Sequence, residues 1–165
     1  MTGQGNPGPR TVVVGVGNEF RRDDGAGPAV IARLRALQPG DQGLSRVTLA
    51  LSDGEPGRMI DLWEGARLAV VIDAVRDTTM PPGHTCQLVA GALADPLAGT
   101  AGGAASSHGI GLGETVELAR VLGRLPARLT VLAVVGRDFG FGTGLTAEVA
   151  AAVAELVEQV REIVR

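Results

Sequence analysis

The residues best equipped for chemistry in this chain are few, and they fall in three short segments. An acidic pair, Asp23-Asp24, follows the turn Gly15-Val16-Gly17-Asn18 that ends a β-branched run from Thr11 to Val14. Asp73 closes a fully apolar stretch, Ala69–Ile72, within LAVVIDAVRD. His108, in SSHGIGL, stands at the end of a Gly-, Ala- and Ser-rich segment and just before a helical pattern; the only other histidine is His84. Two carboxylates and an imidazole form an oxygen and nitrogen donor set suited to a borderline divalent cation such as nickel, zinc or manganese. Three protein ligands leave positions open to water or substrate, as a catalytic metal site requires. In an open α/β sheet ligands meet the protein outside the carboxyl ends of the strands, where the first two segments should lie.

Plainer readings compete at each position. An Asp before Gly25-Ala26-Gly27-Pro28 is an ordinary helix N-cap, which explains one carboxylate well and two poorly. Asp73 could cap a local turn. His84 lies in PPGHTCQ and reads as a solvent-exposed turn residue. Gly15 and Gly17 also fill the first two positions of a dinucleotide-binding G-x-G-x-x-G. Phe20 takes the third, where close helix–strand packing needs a small residue. Asp23 and Asp24 would also repel a pyrophosphate at the start of the next helix. A serine nucleophile has no G-x-S-x-G elbow here, and Cys86, at alternating spacing in a β pattern, is expected to be a buried apolar residue.

The elements that must position these groups follow from periodicity. β signals cover Thr11–Val16, Arg46–Leu51, Leu68–Ala74, Thr85–Val89 and Leu129–Val135. Helical patterns cover Ala26–Leu37, Pro56–Trp63, Leu112–Leu122 and Ala147–Val164, the last with Thr146 as N-cap, Glu148 in its first turn and Arg161 near its end. The alternation predicts a three-layer α/β/α domain with a largely parallel sheet. Only Val75–His84 joins the third and fourth strands, too short for a crossover helix, so those two are expected to form an antiparallel pair. Gly91–Ser107 is expected to be a long mobile loop, a kind of segment that is often functional.

Composition narrows the function. At 165 residues, 45% apolar and 20% charged, the chain has the length and make-up of one soluble globular domain. We expect residues 1–10, MTGQGNPGPR, to be a disordered tail without the apolar region of a signal peptide, and 11–165 to be the domain. A net charge of −3, no Tyr, one Trp and three Phe leave little with which to hold nucleic acid. All 15 basic residues are Arg, which excludes Schiff-base chemistry and a Walker-type lysine. The single cysteine excludes an internal disulfide and a thiolate zinc cluster. No apolar run reaches the ~20 residues needed to span a bilayer, and a cytoplasmic protein is expected.

Taken in order, these motifs resemble the hydrogenase maturation endopeptidase family, over most of the chain from Thr11 onward. VVVGVGNEFRRDDGAG is similar to that family's glycine–asparagine turn with its acidic pair, and LSDGEPG to its Asp-Gly segment after the second strand. VVIDAV resembles its central aspartate strand, and SSHGIGLGETVELARVLGRLP its histidine–helix motif. The resemblance implies a mixed, mostly parallel five-stranded sheet of the phosphorylase/hydrolase-like kind, with strand four antiparallel. It implies an endopeptidase that removes the C-terminal extension of a [NiFe]-hydrogenase large-subunit precursor once nickel is inserted. It also implies that Asp24, Asp73 and His108 recognise nickel carried by the substrate, with no tightly bound cofactor of the enzyme's own. The expected partner is that precursor, with neither nucleic acid nor membrane, and the expected state is a monomer. The chain departs from the family after the last strand, where relatives carry Gly-aliphatic-Glu/Gln-Pro and this sequence reads Gly136-Arg137-Asp138-Phe139-Gly140-Phe141-Gly142. Two alternatives stand beside the peptidase: a non-catalytic metal-sensing chaperone of the same precursor, and a nucleotide-binding α/β enzyme.

Overall fold

Runs of Val, Ile, Leu and Ala too apolar to face water on either side become the central sheet, and the amphipathic segments between them cover it. The computed structural model describes residues 9–91, 105–106 and 111–165. Strands β1 (Thr11–Val16), β2 (Val47–Ser52), β3 (Leu68–Arg76), β4 (Thr85–Gly91), β5 (Ala105–Ser106) and β6 (Arg128–Val135) alternate with helices α1 (Ala26–Leu37), α2 (Pro56–Trp63), α3 (Leu112–Val121) and α4 (Ala147–Val164). The sheet order is β2-β1-β3-β6-β4, with the short β5 pairing β3 off this path. β2, β1, β3 and β6 are parallel, and β4 runs antiparallel to β6. The expected α/β class and the antiparallel fourth strand are therefore present.

One expectation about pairing is corrected. β4 lies antiparallel in direction to β3 but does not pair with it, because β6 occupies the position between them. The short connection crosses over the carboxyl end of β6, a distance of about 10 Å for two strand spacings. It is tied there by Gly83 N–H donating to Val135 O (2.8 Å) and Val135 N–H donating to His84 O (2.9 Å).

The side-chain alternation of the parallel strands divides the core into two layers. Val13, Val70, Ile72, Leu132 and Val134 pack against α1 and α4. Val12, Val14, Val71, Leu129 and Val131 pack against α2 and α3. Burying both faces is what a parallel sheet requires, and it explains why β1, β3 and β6 read as continuous apolar runs without a polar face. Among the described residues no helix is long and apolar enough to cross a membrane.

At the amino-terminal edge Arg10 is tied to the sheet and to the end of α2. Arg10 Nη2 donates to Glu64 O (2.6 Å), and the Arg10 carbonyl accepts from Arg67 N (2.9 Å). Residues 1–8 of the expected tail, and the expected mobile loop apart from Gly91 and residues 105–106, lie outside the described residues.

Candidate active site

The order β2-β1-β3-β6-β4 sends the chain from β1 to one side and from β3 to the other. The carboxyl ends of these two neighbouring strands form the switch point at which open α/β sheets bind ligands. Both candidate carboxylates are there. β1 ends at Val16 and leads through Gly17-Asn18 into a tight 3-10 turn, Arg22–Gly25, that carries Asp23 and Asp24 and packs against β3. Asp73, 2% exposed, sits near the end of β3 opposite Ala133 of β6. By alternation with Ala69 and Val71 it belongs to the α2/α3 face.

The turn is shaped by contacts that only particular residues allow. Gly17 has φ 139°, and a Cβ on it would lie 1.9 Å from the Asp24 carbonyl oxygen. Its N–H donates to Ser52 O (3.0 Å), which ties β1 to the end of β2. Gly27, in the first turn of α1, lies against the strand ends: a Cβ there would meet Val16 O at 2.5 Å and Ile72 O at 2.9 Å. The helix can therefore approach β1 and β3 closely without a glycine at position 20. Arg22 takes a left-handed backbone (φ 50°), strained for a non-glycine residue. Its N–H donates to Gly142 O (3.0 Å) and its Nη1 to Thr143 O (3.0 Å).

The two acids of the pair, both fully buried, have different work. Asp23 Oδ2 accepts from Arg137 N (2.8 Å) and Asp138 N (3.0 Å), and Oδ1 accepts from Thr146 N (2.8 Å). The Thr146 hydroxyl adds contacts of 3.0 and 2.9 Å to the same two oxygens. A carboxylate has about four acceptor positions. Asp23 is thus saturated, and its charge holds the segment from Gly136 to Thr146 against the turn. Asp24 Oδ2 instead accepts from Asn18 N (2.8 Å), at the carboxyl end of β1. The N-cap of α1 is Gly25, without a side-chain hydrogen bond.

The LSDGEPG segment serves the start of α2. Asp53 Oδ1 accepts from Glu55 N (3.0 Å), and the Glu55 carboxylate caps the helix by accepting from Gly57 N (2.9 Å) and Arg58 N (2.8 Å). Between this segment and the β1 turn opens a cleft of about 360 Å3, lined among others by Asn18, Phe20, Leu51, Asp53 and Arg58. Phe20 is 61% exposed, and Phe141, 94% exposed, is carried on backbone joined to that of Phe20 by the Arg21–Gly142 bridge. Phe139 is buried instead, with the Arg76 guanidinium 4.7 Å from its ring centre.

His108 lies outside the described residues. On one side of it in sequence, Ser106 of β5 pairs with Val75, two residues beyond Asp73; on the other, α3 begins at Leu112. Among the described residues no three His, Cys, Asp or Glu side chains are grouped to hold a metal ion. His84 is half-buried in the turn before β4, at the far side of β6 from Asp73.

Cys86 corrects an expectation: it is exposed. It shares the face of Leu88 and Ala90, but β4 is an edge strand and only its Ala90 end is fully covered. Partial desolvation and, less, the nearby Asp77 carboxylate push the thiol above its ordinary pKa, which disfavours the nucleophilic thiolate.

Some contributors were not legible as such. Thr146 was expected only as the α4 N-cap, yet its hydroxyl bonds Asp23 and makes no cap hydrogen bond. The glycine-rich stretch after β6 was the available signal, since a chain that bends so sharply there must meet another element.

Comparison with known proteins agrees with this geometry at the level of fold. No protein-family model matches the chain, and no curated protein matches it. Solved structures do. The [NiFe] hydrogenase maturation protease HybD from Thermococcus kodakarensis is 24% identical with a TM-score of 0.72, over 94% of this chain and 99% of that one. The hydrogenase maturating endopeptidase HybD from E. coli is 24% identical with a TM-score of 0.69, over 92% and 89%. An endopeptidase from Escherichia coli solved in solution is 22% identical with a TM-score of 0.73, again over 92% and 89%. The chain has the fold of the hydrogenase maturation proteases. The match spans nearly the whole of both chains, so the switch point described above belongs to the shared framework.

Proposed function

We propose that this protein is an endopeptidase that removes the C-terminal extension of a [NiFe]-hydrogenase large-subunit precursor after nickel insertion. The observation that carries this reading is the division of work in the acidic pair. Asp23 is consumed by the Gly136–Thr146 segment, while Asp24 is held by Asn18 at the switch point, on a turn packed against the strand that bears Asp73. The proteins whose fold the chain shares are named as maturation proteases and endopeptidases, which supports the same reading.

In this mechanism Asp24, Asp73 and His108 engage the nickel of the precursor, which is part of the substrate. Engagement of the nickel holds the precursor's tail over the carboxyl ends of β1 and β3. A water molecule then adds through its oxygen to the scissile carbonyl carbon. A site carboxylate takes the water's proton and returns a proton to the departing amide nitrogen, leaving a new carboxyl end and a free amine. The enzyme itself acts as a monomer, in the cytoplasm, without a metal of its own.

A processing assay tests this. Chelator-treated enzyme is mixed with nickel-loaded or nickel-free precursor, and the large subunit is weighed by mass spectrometry. Loss of the extension from the loaded form alone is expected. Equal cleavage of both forms would reject recognition through substrate nickel. Binding without any mass change would make the protein a chaperone, and a need to reload the enzyme with zinc would make it an ordinary metalloprotease.

A further inference from the structure

At the opposite end of the sheet, each of the three neighbouring parallel strands is preceded by an arginine. Arg10 comes before Thr11 of β1, Arg46 before Val47 of β2 and Arg67 before Leu68 of β3. Thr11 is in register with both Val47 and Leu68, so the three arginines stand in one row across β2, β1 and β3. Strand spacing sets about 4.8 Å between neighbours and about 10 Å across the row. They line a cleft of about 690 Å3 together with Arg165, at the end of α4, and no acidic residue lines it. A volume of this size is ordinary for a small-molecule site.

Arg10 is engaged through Nη2 with Glu64 O, but Arg46, Arg67 and Arg165 make no salt bridge or side-chain hydrogen bond among the described residues. The Asp41 carboxylate, which also feels the charge of Arg165, is held by Arg161 Nε at 2.8 Å and by Gly43 N at 2.9 Å. A chain of net charge −3 thus concentrates four guanidinium groups in one concave place with no Asp or Glu side chain in its lining.

We propose that this cleft binds a small anion carrying at least two phosphate groups. The guanidinium fork matches phosphate oxygens two at a time, and a row of such forks suits linked phosphates better than a single one. No aromatic side chain lines the cleft, so it offers nothing on which a base would stack, which disfavours nucleic acid. A competing account is that these arginines merely offset the partial negative charge at the helix carboxyl ends gathered at this edge. Arg10 fits that account. The other three bond no helix carbonyl.

Titration calorimetry with inorganic tripolyphosphate tests the proposal, because the site lies apart from the candidate active site and needs no substrate. Saturable binding tighter than about 1 mM is expected. It should weaken about tenfold or more in Arg46→Gln/Arg67→Gln and fall with added salt. Melting of the same variant supplies the second readout. An unchanged or higher Tm without ligand is expected, together with loss of the tripolyphosphate-induced rise seen in the unmodified protein. A lower Tm with unchanged affinity would reduce the arginines to helix-end charges. Absent binding, tighter binding of citrate, or tighter binding of a short single-stranded DNA would each overturn the proposal.

Discussion

Replacing either member of the acidic pair by asparagine should separate folding from chemistry. In Asp23→Asn the side chain stays the same size but one oxygen becomes an NH2 donor. That donor must face Arg137 N and Asp138 N, or Thr146 N, all of which are donors themselves. At least one charge-assisted hydrogen bond is lost and one buried backbone N–H is left unmatched. Each carries roughly 1–3 kcal/mol, so a loss of about 2–6 kcal/mol is expected. For a domain of this size a kilocalorie moves Tm by about 2–4 °C, giving a fall of about 4–24 °C. Asp24→Asn keeps the size of the side chain and can still offer an amide oxygen to Asn18 N (2.8 Å in the native protein). Its processing activity should disappear, because a neutral amide is a poor ligand for a divalent cation. Thermal melts of both variants are compared with the mass shift of nickel-loaded precursor below the melting range. A native Tm for Asp23→Asn would refute the anchoring role. Normal processing by Asp24→Asn would refute the chemical one.

Three further outcomes follow from the same geometry. Gly17→Val should lower activity and stability together, by about 2–6 kcal/mol, from left-handed strain added to overpacking against the Asp24 carbonyl; an unchanged melting curve would contradict it. Cys86→Ser should process normally and melt within about 0.5 kcal/mol of the native protein, since the residue is exposed; loss of activity in the folded variant would restore a thiol mechanism. The Asp41 carboxyl is held below its ordinary value chiefly by its hydrogen bond from Arg161. A depressed carboxylate contributes stability that is fully present above the unfolded pKa and disappears as pH falls through the folded one. The Tm difference between native protein and Arg161→Ala should therefore be full above about pH 4 and vanish at lower pH, and a difference independent of pH would show that Asp41 is not the partner that matters.

The elements were legible where local signals define both ends. Ala26–Leu37, Pro56–Trp63 and Ala147–Val164 form over the expected bounds, helped by Gly25 before the first, Pro56 inside the second and Thr146 before the third. The position of β4 was not legible, because β6 comes later in the chain and the short connection before β4 limits distance without naming a neighbour. Cys86 failed for a related reason. Alternation gives the face of a strand but not how far along it the covering helix extends. At the site, Asp73 was marked by an acid ending an apolar strand. The distinct task of Asp23 was hidden, since its partners are backbone groups more than a hundred residues away, at Arg137, Asp138 and Thr146.

That separation also bears on what the Gly136–Gly142 segment can carry. Asp23 recognises backbone N–H groups and one hydroxyl in this segment, so its hold depends on the path of the chain and on Thr146, with little demand on the other side chains. The segment can then carry Phe141 at its tip, almost fully exposed, while its base stays fixed to the turn that bears Asp24. Two backbone hydrogen bonds, Gly142 N to Phe20 O at 2.9 Å and Arg22 N to Gly142 O at 3.0 Å, join that tip to the opposite rim. The exposed tip and the fixed base are thus separate parts of one segment, and a change at Phe141 should leave the hold of Asp23 on Arg137 N and Asp138 N intact.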